Sequence, residues 1–165
     1  MLTIAQARSG EDIAALRSLV REFTTWAISL DPGSESAPTF RNLEQEIATL
    51  PGSYAAPTGA FLLARIDGAP VGCVAFRDLG PGTVEVKRMY VRPDARGHRI
   101  GEALVAALLT EARQRGKARV VLDSFHTMTS AHRIYRAAGF RDVAAPDDFP
   151  DHLKPKVVFM EMDLT

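Results

Sequence analysis

Apolar and polar positions alternate along this chain with two different periods, and the periods divide it into elements. Leu2 to Ala7 alternate weakly, as an edge strand does. Ser9 followed by Asp12 has the spacing of a helix cap, and Ile13, Leu16, Val20, Phe23 and Ala27 then recur at helical intervals. The stretch "DPGSESAP" (31–38) carries turn residues and predicts a loop. Phe40, Leu43, Ile47 and Leu50 predict a shorter helix ended by Pro51-Gly52, and "PGSYAAPTG" (51–59) predicts another loop.

From Ala60 the period shortens. "AFLLARI" (60–66) and "VGCVAFR" (71–77) read as strands joined at Asp67-Gly68, a hairpin signal. "GPG" (80–82) supplies a turn before "TVEVKRMYV" (83–91), a third and longer strand. Ile100, Leu104, Leu108 and Ala112 predict a helix closed by Gly116. "ARVVLDS" (118–124) is nearly continuous in apolar residues, as befits a strand covered on both faces. Ala131, Ile134, Tyr135 and Ala138 predict a helix stopped at Gly139; "FRDV" (140–143) and "KVVFMEMDL" (156–164) are the last strands, with the proline-containing loop 144–155 between them. Strand, helices, meander, then strand–helix alternation predicts an α/β fold of the mixed α+β kind, with helices packed on one mixed sheet.

Composition narrows the function classes. The 165 residues fit a single domain spanning 1–165, and 46% hydrophobic with 24% charged residues is ordinary for a globular protein. Twenty basic side chains balance twenty acidic ones, which gives no support to a general nucleic-acid or membrane-surface binder. One cysteine, Cys73, rules out an internal disulfide and a cysteine-based metal cluster, so no metal site is expected. The start lacks the pattern of a secretory leader and no apolar run reaches the ~20 residues of a membrane span. A cytoplasmic location is the expectation.

Against that neutral background, positive charge gathers in one place. From Val86 to Gly101 the charged residues are Lys87, Arg88, Arg92, Arg96 and Arg99 against Asp94 alone. The start of a helix near Arg99 presents unpaired N–H groups at the positive end of the helix dipole, a setting that binds anions. Gly97 and Gly101 let a ligand approach the backbone, and Arg96 and Arg99 suit phosphate geometry. Neither GxxxxGK[ST] nor GxGxxG is present. On residues alone two readings stand: a strand-to-helix turn with solvated arginines, or a cradle for a polyanionic ligand.

The span from Thr83 to Val143 resembles the GCN5-related N-acetyltransferase (GNAT) superfamily. Its acetyl-coenzyme A motif, Arg/Gln-x-x-Gly-x-Gly/Ala after a strand and opening a helix, reads here Arg96-Gly97-His98-Arg99-Ile100-Gly101, with Arg99 where the first glycine stands. "AHRIYRAAGF" (131–140) is similar to the second signature, and Met128 occupies a place where asparagine is frequent. The resemblance implies a central mixed, mostly antiparallel sheet splayed between the fourth and fifth strands and flanked by about four helices. It implies acetyl-CoA as co-substrate, with its pantetheine arm beside Met89, Tyr90 and Val91 and its pyrophosphate at Arg96, Gly97, His98, Arg99, Ile100 and Gly101.

The implied reaction moves an acetyl group from sulfur to an amine. The Met89 amide would polarise the carbonyl, Tyr135 would protonate the leaving thiolate, and Glu85 would take the amine proton, with His126 as a second candidate base. Core packing is the other reading of Tyr135, and pairing with Lys87 or Arg88 that of Glu85. His98 and His132 read as exposed, and Asp123, at a strand end, as a residue that could orient another group or, more simply, bond a loop or cap a helix. Phe23, Trp26 and Tyr54 on one side and "DDFPDH" (147–152) on the other would wall the site of an unidentified amine acceptor, with Asp147, Asp148 and Asp151 as an attraction for a cation. A homodimer is compatible with the family but fixed by nothing in the residues. A catalytically inactive acyl-CoA-binding module is the rival reading, motivated by Arg99 and Met128.

Overall fold

The computed structural model describes residues 1–164. Its elements follow the predicted order: β1 (Leu2–Gln6), α1 (Gly10–Leu30), α2 (Leu43–Ala48), β2 (Ala60–Ile66), β3 (Ala69–Asp78), β4 (Thr83–Val91), α3 (Ile100–Gln114), β5 (Arg119–Phe125), α4 (Thr129–Ala138), β6 (Arg141–Val143) and β7 (Val157–Asp163). Ser9 caps α1 by a reciprocal box: its hydroxyl accepts from the Asp12 N–H at 3.0 Å, and the Asp12 carboxylate accepts from the Ser9 N–H at 3.1 Å. Bonds to Asp12 from the Arg8 and Ser9 backbones pull its carboxyl down to about 2. Asp67 and Gly68, both at positive φ (49° and 87°), turn the β2–β3 hairpin.

The expected helix over 40–50 is divided. Phe40 ends a 3-10 turn (Pro38–Phe40), Asn42 takes a left-handed conformation at φ 58°, and only Leu43–Ala48 are α-helical. The periodicity nevertheless reports burial correctly, since Phe40, Ile47 and Leu50 are all in the core.

The seven strands form one sheet in the order β1-β2-β3-β4-β5-β7-β6. Only β4 and β5 run parallel; every other neighbouring pair is antiparallel. Alternation along the strands divides the core between the two faces. Leu62, Val74, Phe76, Val84 and Val120 pack beneath α3 and α4, while Phe61, Leu63, Cys73 and Ala75 pack beneath α1 and α2. This is the α/β architecture with a mostly antiparallel sheet that the resemblance implied.

Two irregularities in β4 shape the middle of the sheet. First, it pairs with β5 only from Thr83 to Glu85, against Arg119 to Val121. Beyond Glu85, β4 follows β3 to Val91 while β5 follows β7 to Phe125, so the sheet opens like a V. Second, the β3–β4 register shifts between Cys73 and Ala75, where Arg88 adopts φ 61°. An extra residue here is a β-bulge, and it puts two successive side chains on one face. Lys87 and Arg88 both reach the Thr39 hydroxyl on the α1–α2 side.

Candidate functional site

Three adjoining concavities follow the opening of the sheet. A groove of about 270 Å³ runs along the end of β4 and the start of α3. A narrow throat of about 60 Å³ lies in the V itself. A cleft of about 710 Å³ opens on the far side, between β4, β5 and the loop before β7. Met89, Met128 and Ala131 line both groove and throat. Thr39, Lys87, Asp123 and Phe149 line both throat and cleft. The three concavities therefore adjoin one another from one edge of the opening to the other.

The groove gathers two arginines, two glycines and a helix start. Of the residues expected to hold the coenzyme, Met89, Tyr90, Val91, Arg96, Gly97, Arg99, Ile100 and Gly101 line it; His98 is exposed beside it and is not part of the lining. Gly97 sits at φ 89° and Arg99 at φ 58° as the residue before α3, with no side-chain cap to occupy the first N–H groups of the helix. Arg99 thus holds the left-handed conformation that a glycine adopts without cost. Its side chain stays 86% exposed, with Glu102 Oε2 at 3.4 Å, so a cationic group stands at the helix start. Gly101 has another purpose: a Cβ there would meet Ile134 Cδ1 at 2.8 Å, so its lack of a side chain lets α4 approach α3.

Arg96 is pre-positioned. Its Nε donates to the Val91 carbonyl at 3.0 Å, and its guanidinium lies over the Trp26 ring, 4.6 Å from the centroid. Trp26 is half-buried, tilted against Tyr90 at 5.8 Å, and lines the groove instead of the acceptor side. Arg92 ties the same end of β4 to α1 through Glu22 (2.8 Å) and to the Pro70 carbonyl (2.9 Å).

Tyr135 projects from α4 into the throat, 5% exposed and edge-on to Phe140. Burial, then the charge of Asp123, pushes its phenol well above the usual value, so it stays protonated. Glu85 faces the cleft but is engaged by Arg77 at 2.7 Å. Asp123 caps no helix, since α4 starts after Met128 without a side-chain cap. It lies within β5, paired in register with Phe159 of β7, and lines throat and cleft alike. Burial raises its carboxyl above the ordinary range, against the opposing pull of Lys87. Lys87 is lowered, first by burial and then by Arg88.

Several expected residues lie elsewhere. His126 is exposed beyond β5, its backbone N–H bonded to the Lys156 carbonyl. His132, expected at the surface, is 4% exposed with Nε2 3.1 Å from Ser124 Oγ, because α4 turns that side chain onto β5; burial lowers its pKa. Asp147, Asp148 and Asp151 are not in the cleft lining, and Asp151 pairs with Lys154 at 2.9 Å. From that loop it is Phe149 that enters the cleft, edge-on to Phe159 at 4.9 Å. Tyr54 is buried away from the site, bonded to Glu46. Cys73 is fully buried and its thiol is pushed up to about 12 by that burial, which removes it as a nucleophile. Among the described residues no group of three His, Cys, Asp or Glu side chains gathers as for a metal, and no helix is long and apolar enough to cross a membrane.

Known proteins share both sequence and shape with this chain. Residues 16–140 match the model of the acetyltransferase (GNAT) family. An uncharacterised N-acetyltransferase of Schizosaccharomyces pombe is 31% identical over 99% of the chain and 96% of its own length. An IAA acetyltransferase of Azospirillum brasilense is 38% identical over 68% of the chain and 72% of its length. A structure from Klebsiella pneumoniae, described as an acyl-CoA N-acyltransferase, superposes with a TM-score of 0.76 at 30% identity, covering 100% of this chain and 99% of that one. The PaiA N-acetyltransferase of Thermoplasma acidophilum, solved with coenzyme A, shares the fold with a TM-score of 0.78 at 18% identity, covering 99% of each chain. With the V-shaped opening, the glycine-containing helix start and this match across most of its length, the chain belongs to the GNAT acetyltransferase family.

Proposed function

We propose that this protein transfers an acetyl group from acetyl-CoA to a primary amine by direct attack on the thioester. The observation that carries the reading is the row of adjoining concavities that runs from an uncapped, arginine-flanked helix start, past a throat lined by Met89 and Tyr135, to a cleft beyond it. The pyrophosphate lies against the backbone of Gly97 to Gly101 with Arg96 and Arg99 beside it. The pantetheine arm follows the edge of β4 that no strand covers beyond Glu85, and the thioester enters the throat.

The amine enters from the cleft. Asp123 is the better placed of the two carboxylates because it lines the throat, whereas Glu85 lines the cleft alone. An ammonium first gives a proton to solvent through Asp123. The neutral nitrogen attacks the carbonyl carbon, the Met89 N–H stabilises the developing oxyanion, and Asp123 receives the nitrogen's second proton. The C–S bond breaks and Tyr135 protonates the thiolate; the proton on Asp123 then restores the phenol. Glu85, held by Arg77, shapes the field around this exchange and relays protons through water.

Thiol release from acetyl-CoA over a panel of amines tests the reading, with Tyr135→Phe, Asp123→Asn and Glu85→Gln beside the parent. Amine-dependent release that falls most in the first two variants supports it. Tight coenzyme binding with no turnover on any amine would mark a binding module instead.

A further inference from the structure

We propose that the acceptor is an α-amino acid with an apolar side chain, its carboxylate held by Lys87 and its amino group at Asp123. This rests on the acetyl-transfer reading above and names the substrate class of that site.

The charges around the cleft cancel in local pairs, with two exceptions. Arg77 closes on Glu85 at 2.7 Å, and Arg88 grips Glu46 with two bonds of 2.9 Å. Glu161 sits between Arg119 and Arg141, 2.6 Å from each. Among the described residues Lys87 and Asp123 belong to no ion pair, although each lies within the other's field. They occupy equivalent places on adjacent strands, two residues beyond the Glu85–Val121 pair where β4 and β5 part. The V holds apart a cation and an anion that would otherwise meet.

Their surroundings favour a ligand that answers both charges. Each is disfavoured by burial, so each gains when a counter-charge arrives. Lys87 spends one donor on the Thr39 hydroxyl at 3.0 Å, leaving others free for a carboxylate. A simple cationic amine would satisfy Asp123 and set its own charge against Lys87. A zwitterion satisfies both, and its short spacing between amine and carboxylate suits two groups facing one throat. Beyond them, Phe149 packed edge-on to Phe159, with Leu79, Val121 and Pro146, offers an apolar wall for the side chain.

The test is thiol release by the 165-residue protein at saturating acetyl-CoA, with L-phenylalanine, L-leucine, L-phenylalaninamide, phenethylamine and spermidine as acceptors. The expected kcat/KM for L-phenylalanine exceeds that for phenethylamine and the amide by about 10–100-fold, the range of a hydrogen bond to a charged group. Lys87→Met should collapse that ratio towards unity, and Lys87→Arg should retain part of it. Equal kcat/KM for L-phenylalanine and phenethylamine in the parent overturns the assignment. So does an undiminished ratio in a Lys87→Met protein that binds acetyl-CoA normally. Rapid turnover of spermidine with none of the amino acids would sink this inference and leave acetyl transfer standing; no turnover of any amine would remove both. Should Lys87→Met not fold, calorimetric titration of the parent's coenzyme A complex decides. Binding of L-phenylalanine but not phenethylamine supports the proposal, and the reverse order refutes it.

Discussion

Gly101 on α3 and Ile134 on α4 approach so closely that a Cβ on the glycine would lie 2.8 Å from the isoleucine Cδ1. The contact joins the helix whose start lines the groove to the helix that carries Tyr135. Ile134 offers only the end of a flexible side chain, so Gly101→Ala should melt close to the parent. Its helix-propensity gain of about 1 kcal/mol offsets the displacement of that methyl. Gly101→Glu adds both bulk and negative charge at the helix start, and acetyl-CoA affinity should fall by about tenfold or more, since that drop takes only about 1.4 kcal/mol. Thermal melts and calorimetry on the two variants check the pair of expectations.

Arg99 combines a strained backbone with a useful charge. Replacing it with glycine releases a left-handed conformation that costs about 1–2 kcal/mol. The melting temperature should rise by roughly 2–4 °C per kcal/mol for a chain of this size. The same change removes a cation from the helix start, so acetyl-CoA should bind several-fold more weakly. A variant that is more stable and yet binds less well is the expected combination, read from melting curves and Kd.

Arg88 is the anchor of the β4 bulge. Its side chain is 2% exposed and bonds Glu46, the Thr39 hydroxyl and the Thr39 carbonyl. Arg88→Met strands Glu46, which remains partly accessible at 25%, and loss should lie near the lower end of the 3–5 kcal/mol seen when buried pairs are broken. Because the bulge sets the direction of Lys87 and Met89, kcat should drop along with stability. Denaturant unfolding and single-turnover rates on the variant check both.

Asp123 sets function against stability. Its carboxyl is raised in the fold by burial, so its contribution to stability is fully present below the unfolded pKa near 3.8 and is lost as pH rises through the higher folded value. At neutral pH the folded state therefore carries a charge it would shed. Asp123→Asn should be more stable than the parent at pH 7, with the difference shrinking as pH falls. It should also be slower by about 10²–10⁴-fold, the usual span of a proton-transferring group. The parent's kcat/KM should rise with pH on an acid limb above the ordinary carboxylate range. Tyr135→Phe should lose turnover without losing acetyl-CoA affinity, and the phenol's raised pKa predicts no alkaline decline from its ionisation near pH 10.

The fold was largely legible because each element carried local signals that its tertiary contacts reinforce, such as the Ser9–Asp12 box and the Asp67-Gly68 turn. The groove was legible for a similar reason: Arg96 to Gly101 are contiguous, so their chemistry is written along one stretch of chain. The cleft was not. Lys87, Asp123, Thr39 and Phe149 come together only because β4 and β5 diverge and a bulge rotates one strand. Asp123 in an otherwise apolar strand was the available hint. The bulge itself left no periodic trace, since Val84, Val86, Arg88 and Tyr90 still alternate as buried positions while the face they occupy changes. His132 misled for a related reason: a polar residue on a short helix is read as solvent-facing until its neighbour Ser124 is known.

Titration with acetyl-CoA by isothermal calorimetry, followed by melting of the same samples, addresses the helix-start groove on which all else depends. A single saturable site is expected, with weaker binding at high salt, a rise in melting temperature, and loss of both signals in Gly101→Glu. Absence of heat and of any thermal shift at saturating acetyl-CoA would contradict it.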